Sequence, residues 1–213
     1  PMAKRLILGQ IGADFDPAVD AVIAPWCFAG AEDVYADWES LAFRDIFTDV
    51  DIRAKAGDDV RLLANYLIGP WAERLNAEHG VTHGATYWRI LLMPWLLHVS
   101  QAVWKRYLLI ADFIAAHEGD GTTFAVEIGP AVMDCRPVDM FDLNRRILPS
   151  HGFNFWLNGR IITALAPDHW QHIPVAGVAI APYVPPPAGA TGIKGFLRAV
   201  FRDLRCRQVS GVR

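Results

Sequence analysis

Residues 87–117 hold so few polar positions that no single face of a helix can collect the apolar ones. Apolar side chains nearly surround the axis there, so the stretch predicts a central, buried helix rather than a surface one. Arg89, His98, Gln101, Lys105 and Arg106 interrupt the run, which denies it the roughly 20 apolar residues of a membrane span. The apolar stretch 173–188 is short and broken by Pro174, Pro182 and Pro185 to Pro187, so it fails the same test. A water-soluble protein is therefore expected. Three widely spaced cysteines with no secretory leader ahead of them make a reducing cytoplasm the expected compartment. With 53% hydrophobic and 20% charged residues, the chain also falls outside the disordered class.

The helical region begins earlier. Between Arg53 and Glu78, Val60, Leu63, Leu67 and Trp71 recur at helical spacing, and Gly80 supplies a stop. Gly69-Pro70 should kink or divide this helix, and Pro94 should bend the next, whose start Thr82 or Thr86 would cap. Ahead of the helices, Lys4 to Gly9 and Ala21 to Ala24 read as short buried strands, and Thr123 to Ile128 as another. Asp139 can cap a short helix through Ile147, and Phe153 to Leu165 reads as a further helix. The expected architecture is α/β with heavy helical content: residues 1–181 form the α/β domain, 182–192 a Pro/Gly-rich linker, and 193–213 a basic amphipathic helix and tail.

Several chemistries lack their residues. Gly9-Gln10-Ile11-Gly12 has too few glycines for a dinucleotide loop, and no phosphate-binding P-loop or Gly-x-Ser-x-Gly motif appears. Cys27, Cys135 and Cys206 are widely spaced, so they form no zinc-like pair. His79 and His83 are four apart, but no third ligand stands at a telling interval, so neither a metal nor another cofactor is expected. The net charge of −3 gives no reason to expect nucleic acid.

The most specific stretch is 75–97. There Leu75, Asn76, His79, Gly80, Val81 and His83 are followed by Tyr87, Trp88, Arg89, Leu91, Pro94, Trp95 and Leu96. This LN-x-x-HG-V-x-H…YWR-x-L-x-x-PWL pattern resembles that of a family of bacterial transferases linked to surface-carbohydrate loci. Pro25-Trp26-Cys27 resembles that family's early W-C element, and Gln101 and Arg106-Tyr107 stand where it tends to have Gln and Arg-Tyr. Residues 47–53 match the family's corresponding stretch only partly.

The resemblance implies a Rossmann-like amino-terminal half of a two-domain glycosyltransferase-B-like enzyme. It implies a carbohydrate acceptor as the partner of this part, with a nucleotide-sugar donor bound by a carboxy-terminal half not contained in this chain. On that basis the chain is expected to be a fragment.

The residues themselves suggest roles and alternatives. His79 or His83 suits a general base for a sugar hydroxyl, or a hydrogen-bonded turn between two helices. Arg89 at a helix start suits an anion, or a pairing with Glu78. Trp26, in a loop at a strand end, suits stacking on a sugar ring, with Tyr87 and Trp88 beside the basic groups, whereas core packing is the ordinary use of Trp88 and Trp95. In the last helix, Ile193, Phe196, Leu197, Val200, Phe201 and Leu204 form one face and Lys194, Arg198, Arg202 and Arg205 the other. That pattern fits docking on a neighbouring domain or peripheral contact with an anionic membrane. A helical binding module is the alternative to the transferase reading.

Overall fold

The computed structural model describes residues 3–182, apart from Ala42, Asp120, Asp134 and Arg136. Residues Pro1–Ala181 form one compact unit. Except for Pro182, the expected linker and the amphipathic helix over 193–213 lie outside the described residues.

Four strands make a parallel sheet: β1 (Lys4–Ile7), β2 (Asp20–Val22), β3 (Phe124–Ile128) and β4 (Gln171–Pro174), in the order β2-β1-β3-β4. Three of them coincide with the expected apolar runs. Strand β4 has no such run, because Gln-His-Ile-Pro lies on the sheet edge with all four residues exposed. Its Pro sits at the last position of an edge strand, where a missing N–H costs least. The sheet face carrying Leu6, Phe124, Val126 and Ile128 packs on Ile110, Ile114, Ile161 and Ile162, all within the main hydrophobic core. A second cluster, built on Cys27 and Phe28, holds Phe15, Tyr35, Trp38 and Phe43 of the long segment between β2 and the first long helix and of the β1–β2 loop.

Two long helices connect β2 to β3. Helix α1 (Val50–His79) starts at Asp49, whose carboxylate accepts from the Asp51 and Ile52 amides at 2.8 and 3.2 Å, and ends at Gly80 with φ +64°. An L-residue avoids that left-handed cap, and glycine does not. The helix runs unbroken through Pro70, so Gly69-Pro70 does not divide it. Helix α2 (Ala85–Glu118) likewise continues through Pro94, and its N-cap is Gly84, so neither Thr82 nor Thr86 caps it through its side chain.

The expectation of a central buried α2 holds only for its second half. Ile90 and Leu91 are 72% and 54% exposed, because the first half of α2 packs on α1 through Leu96, Ala64 and Ile68. One neighbouring helix can cover only one stripe, whatever the rest of the circumference carries. Ile110 and Ile114, which meet the sheet, are buried.

After β3 the chain forms α3 (Met140–Asp142), a π turn over Leu143–Ile147, and α4 (His151–Leu165). Asp139 accepts from the Asp142 amide at 2.7 Å, as its capping position predicts. Arg146 grips the buried Asp142 carboxylate through Nε and Nη2 at 2.6 and 2.7 Å, and these bonds, against the cost of burial, hold that carboxyl below the usual range. Ser150 caps α4 by accepting from the Phe153 amide.

Candidate functional site

The chain leaves β1 toward β2 on one side of the sheet, and later places β3 and β4 on the other. This makes the carboxyl ends of β1 and β3 a topological switch point, the place where open α/β sheets form ligand crevices. A crevice of about 640 Å³ lies there. Gly9, Gln10, Ile11 and Gly12 line it from the loop after β1, Glu127 from β3, and Val175, Ala176 and Val178 from the segment after β4. His151 and Phe155, from the first turns of α4, complete the wall.

Close approaches hold this wall together. A Cβ at Gly152 would run into the Val178 carbonyl, so glycine there lets the α4 start meet the segment after β4. Phe155 packs so tightly that a Cβ on Gly129 would lie 3.0 Å from its ring, and one on Gly9 3.4 Å from its Cβ. Deeper in α4, the fully buried Asn158 donates from Nδ2 to the Leu8 carbonyl at 2.8 Å, which ties the helix to the end of β1. At the outer rim Arg5 donates to Asp20 at 2.9 and 2.8 Å and to Asp14 at 2.6 Å. Burial pushes the Asp20 carboxyl upward, but the bonds from Arg5 and the Asp16 amide outweigh it and leave the pKa below the ordinary value.

Beside the crevice stands a second group of polar residues. The Ile11 amide donates to the Cys27 carbonyl at 2.9 Å, joining the loop after β1 to the Pro25–Phe28 turn after β2. On that turn, the Trp26 ring lies under the Arg106 guanidinium, 4.0 Å from its centroid. Arg106 comes from α2, and its Nε and Nη2 donate to Asn154 Oδ1 at 3.1 and 2.9 Å. Asn154 Nδ2 in turn donates to the Leu148 and Ser150 carbonyls, both at 2.9 Å, which settles which way its amide points. Burial lowers the Arg106 pKa from its ordinary value, yet a guanidinium remains cationic at neutral pH. Burial has the opposite effect on the neighbouring thiol: Cys27 is pushed up to about 11, so it is protonated and unreactive at neutral pH.

The six residues singled out from the sequence divide between two places. Trp26 belongs to this region. His79, His83, Tyr87, Trp88 and Arg89 gather where α1 turns into α2, and none of them lines the crevice. Trp88 and Arg106 are eighteen residues apart on α2, about 27 Å along a helix axis at 1.5 Å per residue.

Asn76 organises that turn. Its Oδ1 accepts from the His83 amide at 3.1 Å and the Trp88 indole at 2.9 Å, while its Nδ2 donates to the His83 carbonyl at 2.9 Å. His79 ends α1 and His83 lies in the turn, so they do not share a helical face. The His83 ring instead meets Tyr87 at 4.0 Å between centroids, and both imidazoles flank Trp88. Arg89 donates to Asn65 Oδ1 at 2.7 Å rather than to Glu78. The motif thus builds a helical hairpin turn and leaves its two imidazoles and one guanidinium at the surface. Asn76→Ala is expected to destabilise the protein by about 1–3 kcal/mol, since three bonds go and the Trp88 N–H loses its acceptor. Urea unfolding measures this; a change below about 0.5 kcal/mol would mean that water replaces the network.

In the sequence His151 and Asn154 carry no site role, and Arg106 stands out only as a break in the apolar run and through resemblance. A lone His behind a capping Ser carries no periodic or motif signal, and Asn154 gains its role only when α2 and α4 pack together.

Among the described residues, no group of three or more His, Cys, Asp or Glu side chains is arranged to hold a metal ion, and no helix is long and apolar enough to cross a membrane. A parallel four-stranded sheet joined by helices, with an open crevice at its switch point, places the chain in the α/β class. The sequence model of the LIC12162 family transferases matches residues 4–176, which include every strand, and the chain belongs to that transferase family. No curated protein and no solved structure matches it.

Proposed function

We propose that this chain is the Rossmann-like, acceptor-binding half of a two-domain glycosyltransferase-B-like enzyme that acts in bacterial surface-carbohydrate assembly. The crevice at the β1/β3 switch point carries the reading. Its volume, about 640 Å³, suits one or two sugar rings, and its lining combines an aromatic wall with amide, carboxylate and imidazole groups. The transfer step needs a base near the acceptor hydroxyl, and His151 supplies an imidazole from the crevice wall. The nucleotide-sugar donor is assigned to a second domain, as the family resemblance implies. Contact with the inner face of a membrane through residues 193–213 belongs to the same proposal.

The hairpin turn is the rival location. There His79 or His83 would take the proton, Arg89 would steady negative charge, and Tyr87 and Trp88 would meet the sugar. Saccharide titration of the chain, followed by calorimetry, separates the two. His151→Ala should weaken binding about tenfold, a loss of about 1.4 kcal/mol, while His83→Ala and Arg89→Ala leave it unchanged. The reverse pattern would move the acceptor to the hairpin.

A second reading, a non-catalytic helical binding module, is favoured by the apolar groups the hairpin exposes. Leu62, Tyr66, Tyr87, Ile90 and Leu91 are all 44% or more exposed. The same titration tests it: a chain that binds no saccharide but associates with itself or a partner would support this reading over the enzymatic one.

A further inference from the structure

Arg106 is a half-buried cation without a counter-ion. Among the described residues no carboxylate lies within ion-pair distance of it, and its hydrogen bonds go to a neutral amide, Asn154 Oδ1. Removing a charge from water is costly unless an opposite charge or several polar groups compensate, and one amide oxygen compensates poorly. On α4 Arg160 is also half-buried with its Nε unpartnered, but among the described residues no aromatic ring lies beneath it and no side-chain amide holds it. The other basic groups of α2 are placed differently. Arg89 and Lys105 are exposed, and Asn65 accepts from Arg89. Among the described residues nothing accepts from Nη1 of Arg106, which reaches solvent, and the Trp26 indole N–H, on the ring beneath the guanidinium, is buried without a partner. A cation without a counter-ion and a buried indole N–H without an acceptor therefore meet at one place.

The arrangement around them is rigid. Asn154 is locked by two backbone carbonyls, and its Oδ1 holds the Nε–Nη2 edge of the guanidinium. The Trp26 ring covers it from one side. A guanidinium held flat with one nitrogen free is suited to donate to an oxyanion, and Arg forms such bonds with both phosphate and carboxylate.

We propose that Arg106, lying on Trp26 and held by Asn154, is an oxyanion subsite that takes a phosphate or carboxylate group of the ligand. This deepens the carbohydrate reading by making the ligand an acidic saccharide or sugar phosphate, and it rests on residues outside the crevice lining, so the two readings can fail separately. Asn154 is a positioning residue here, because it acts by orienting Arg106. His151 and Asn154 are three apart on α4, so a saccharide at His151 has its acidic group on the same side of the helix as Arg106.

The test is a titration of the chain with inorganic phosphate, glucose 1-phosphate, glucuronate and glucose, following the Trp26 indole N–H by NMR, assigned with Trp26→Phe. Saturable phosphate shifts are expected at Trp26, with binding weakened at least about tenfold in Arg106→Met. Arg106→Lys keeps the charge but loses the planar fork, so an intermediate loss is expected. Asn154→Ala should weaken phosphate binding without abolishing it. Tighter binding of glucose 1-phosphate than of glucuronate identifies the natural group as phosphate, and the opposite order identifies a carboxylate.

Wild-type spectra without a saturable phosphate response at Trp26 would overturn the proposal even if Arg106→Met fails to fold. Equal phosphate affinity in folded wild type and Arg106→Met would do the same. Glucose binding that survives in Arg106→Met leaves the crevice reading standing on its own. Phosphate binding with no response to any sugar leaves the subsite and removes the carbohydrate.

Discussion

Replacing Phe155 by Ala is expected to destabilise the protein by about 3–5 kcal/mol, the range for truncating a buried aromatic side chain. Phe155 is 9% exposed, lies in the main core, and fills the space beside Gly9 and Gly129. Neither glycine has a side chain that can move into the gap, so the cavity should persist and the penalty should sit high in the range. For a chain of this size each 1 kcal/mol lowers the melting temperature by roughly 2–4 °C, so a fall of about 6–20 °C is anticipated. Because the same ring lines the crevice, the proposed saccharide binding should weaken in parallel. Thermal unfolding and calorimetry on one preparation check both, and a loss under about 1 kcal/mol would show that the loops collapse onto the vacancy.

Asn158→Ala is the second large effect, with an expected loss of about 2–4 kcal/mol. The residue has no exposure and supplies the donor for the Leu8 carbonyl, while its own Oδ1 has no partner among the described residues. Truncation therefore removes the bond, leaves an acceptor dry and opens a small void. Asn158→Leu separates these causes. It keeps most of the volume, so a recovery to wild-type stability would assign the effect to packing and dismiss the hydrogen bond. Urea unfolding is the measurement, and a difference near zero between wild type and Asn158→Ala would remove the tie between α4 and β1.

Apolar pattern alone located much of the scaffold. Lys4 to Gly9 and Thr123 to Ile128 are short apolar runs bounded by breakers, and both became central strands. Gly80 ended α1 because its local geometry needs a left-handed residue, and Asp139 capped the short helix before Ile147 because a carboxylate there meets a free amide. These are short-range effects, readable from neighbours in the chain.

The stripe that α1 buries was harder to read. Large residues suggested Val60, Leu63, Leu67 and Trp71, but the most buried positions are Val60, Ala64, Ile68 and Ala72. The small residues let the α1 and α2 backbones approach, and the larger ones flank the contact. Periodicity assigns a spacing, and only the partner helix decides which neighbouring row faces it.

The site followed the same division. The motif at 75–97 is dense in residues suited to chemistry, and its Asn76 and Trp88 side chains, with the His83 backbone, fasten a hairpin turn to itself. The crevice instead draws on segments near residues 10, 127, 151 and 176, none of which announces the others. Trp26 was legible as a loop aromatic at a strand end, whereas its cation arrives from eighty residues away.

By itself, then, the sequence determined the class of this protein: short apolar strands, two long helices with the Gly80 stop between them, and a resemblance that pointed to a transferase family. Tertiary structure decided which faces are buried, how β4 joins the edge, and that Trp26, Arg106 and Asn154 meet. The physical reason is range. Hydrogen-bonded caps and hydrophobic periodicity act over a few residues, whereas a ligand crevice exists only after distant segments have packed to exclude water from one another.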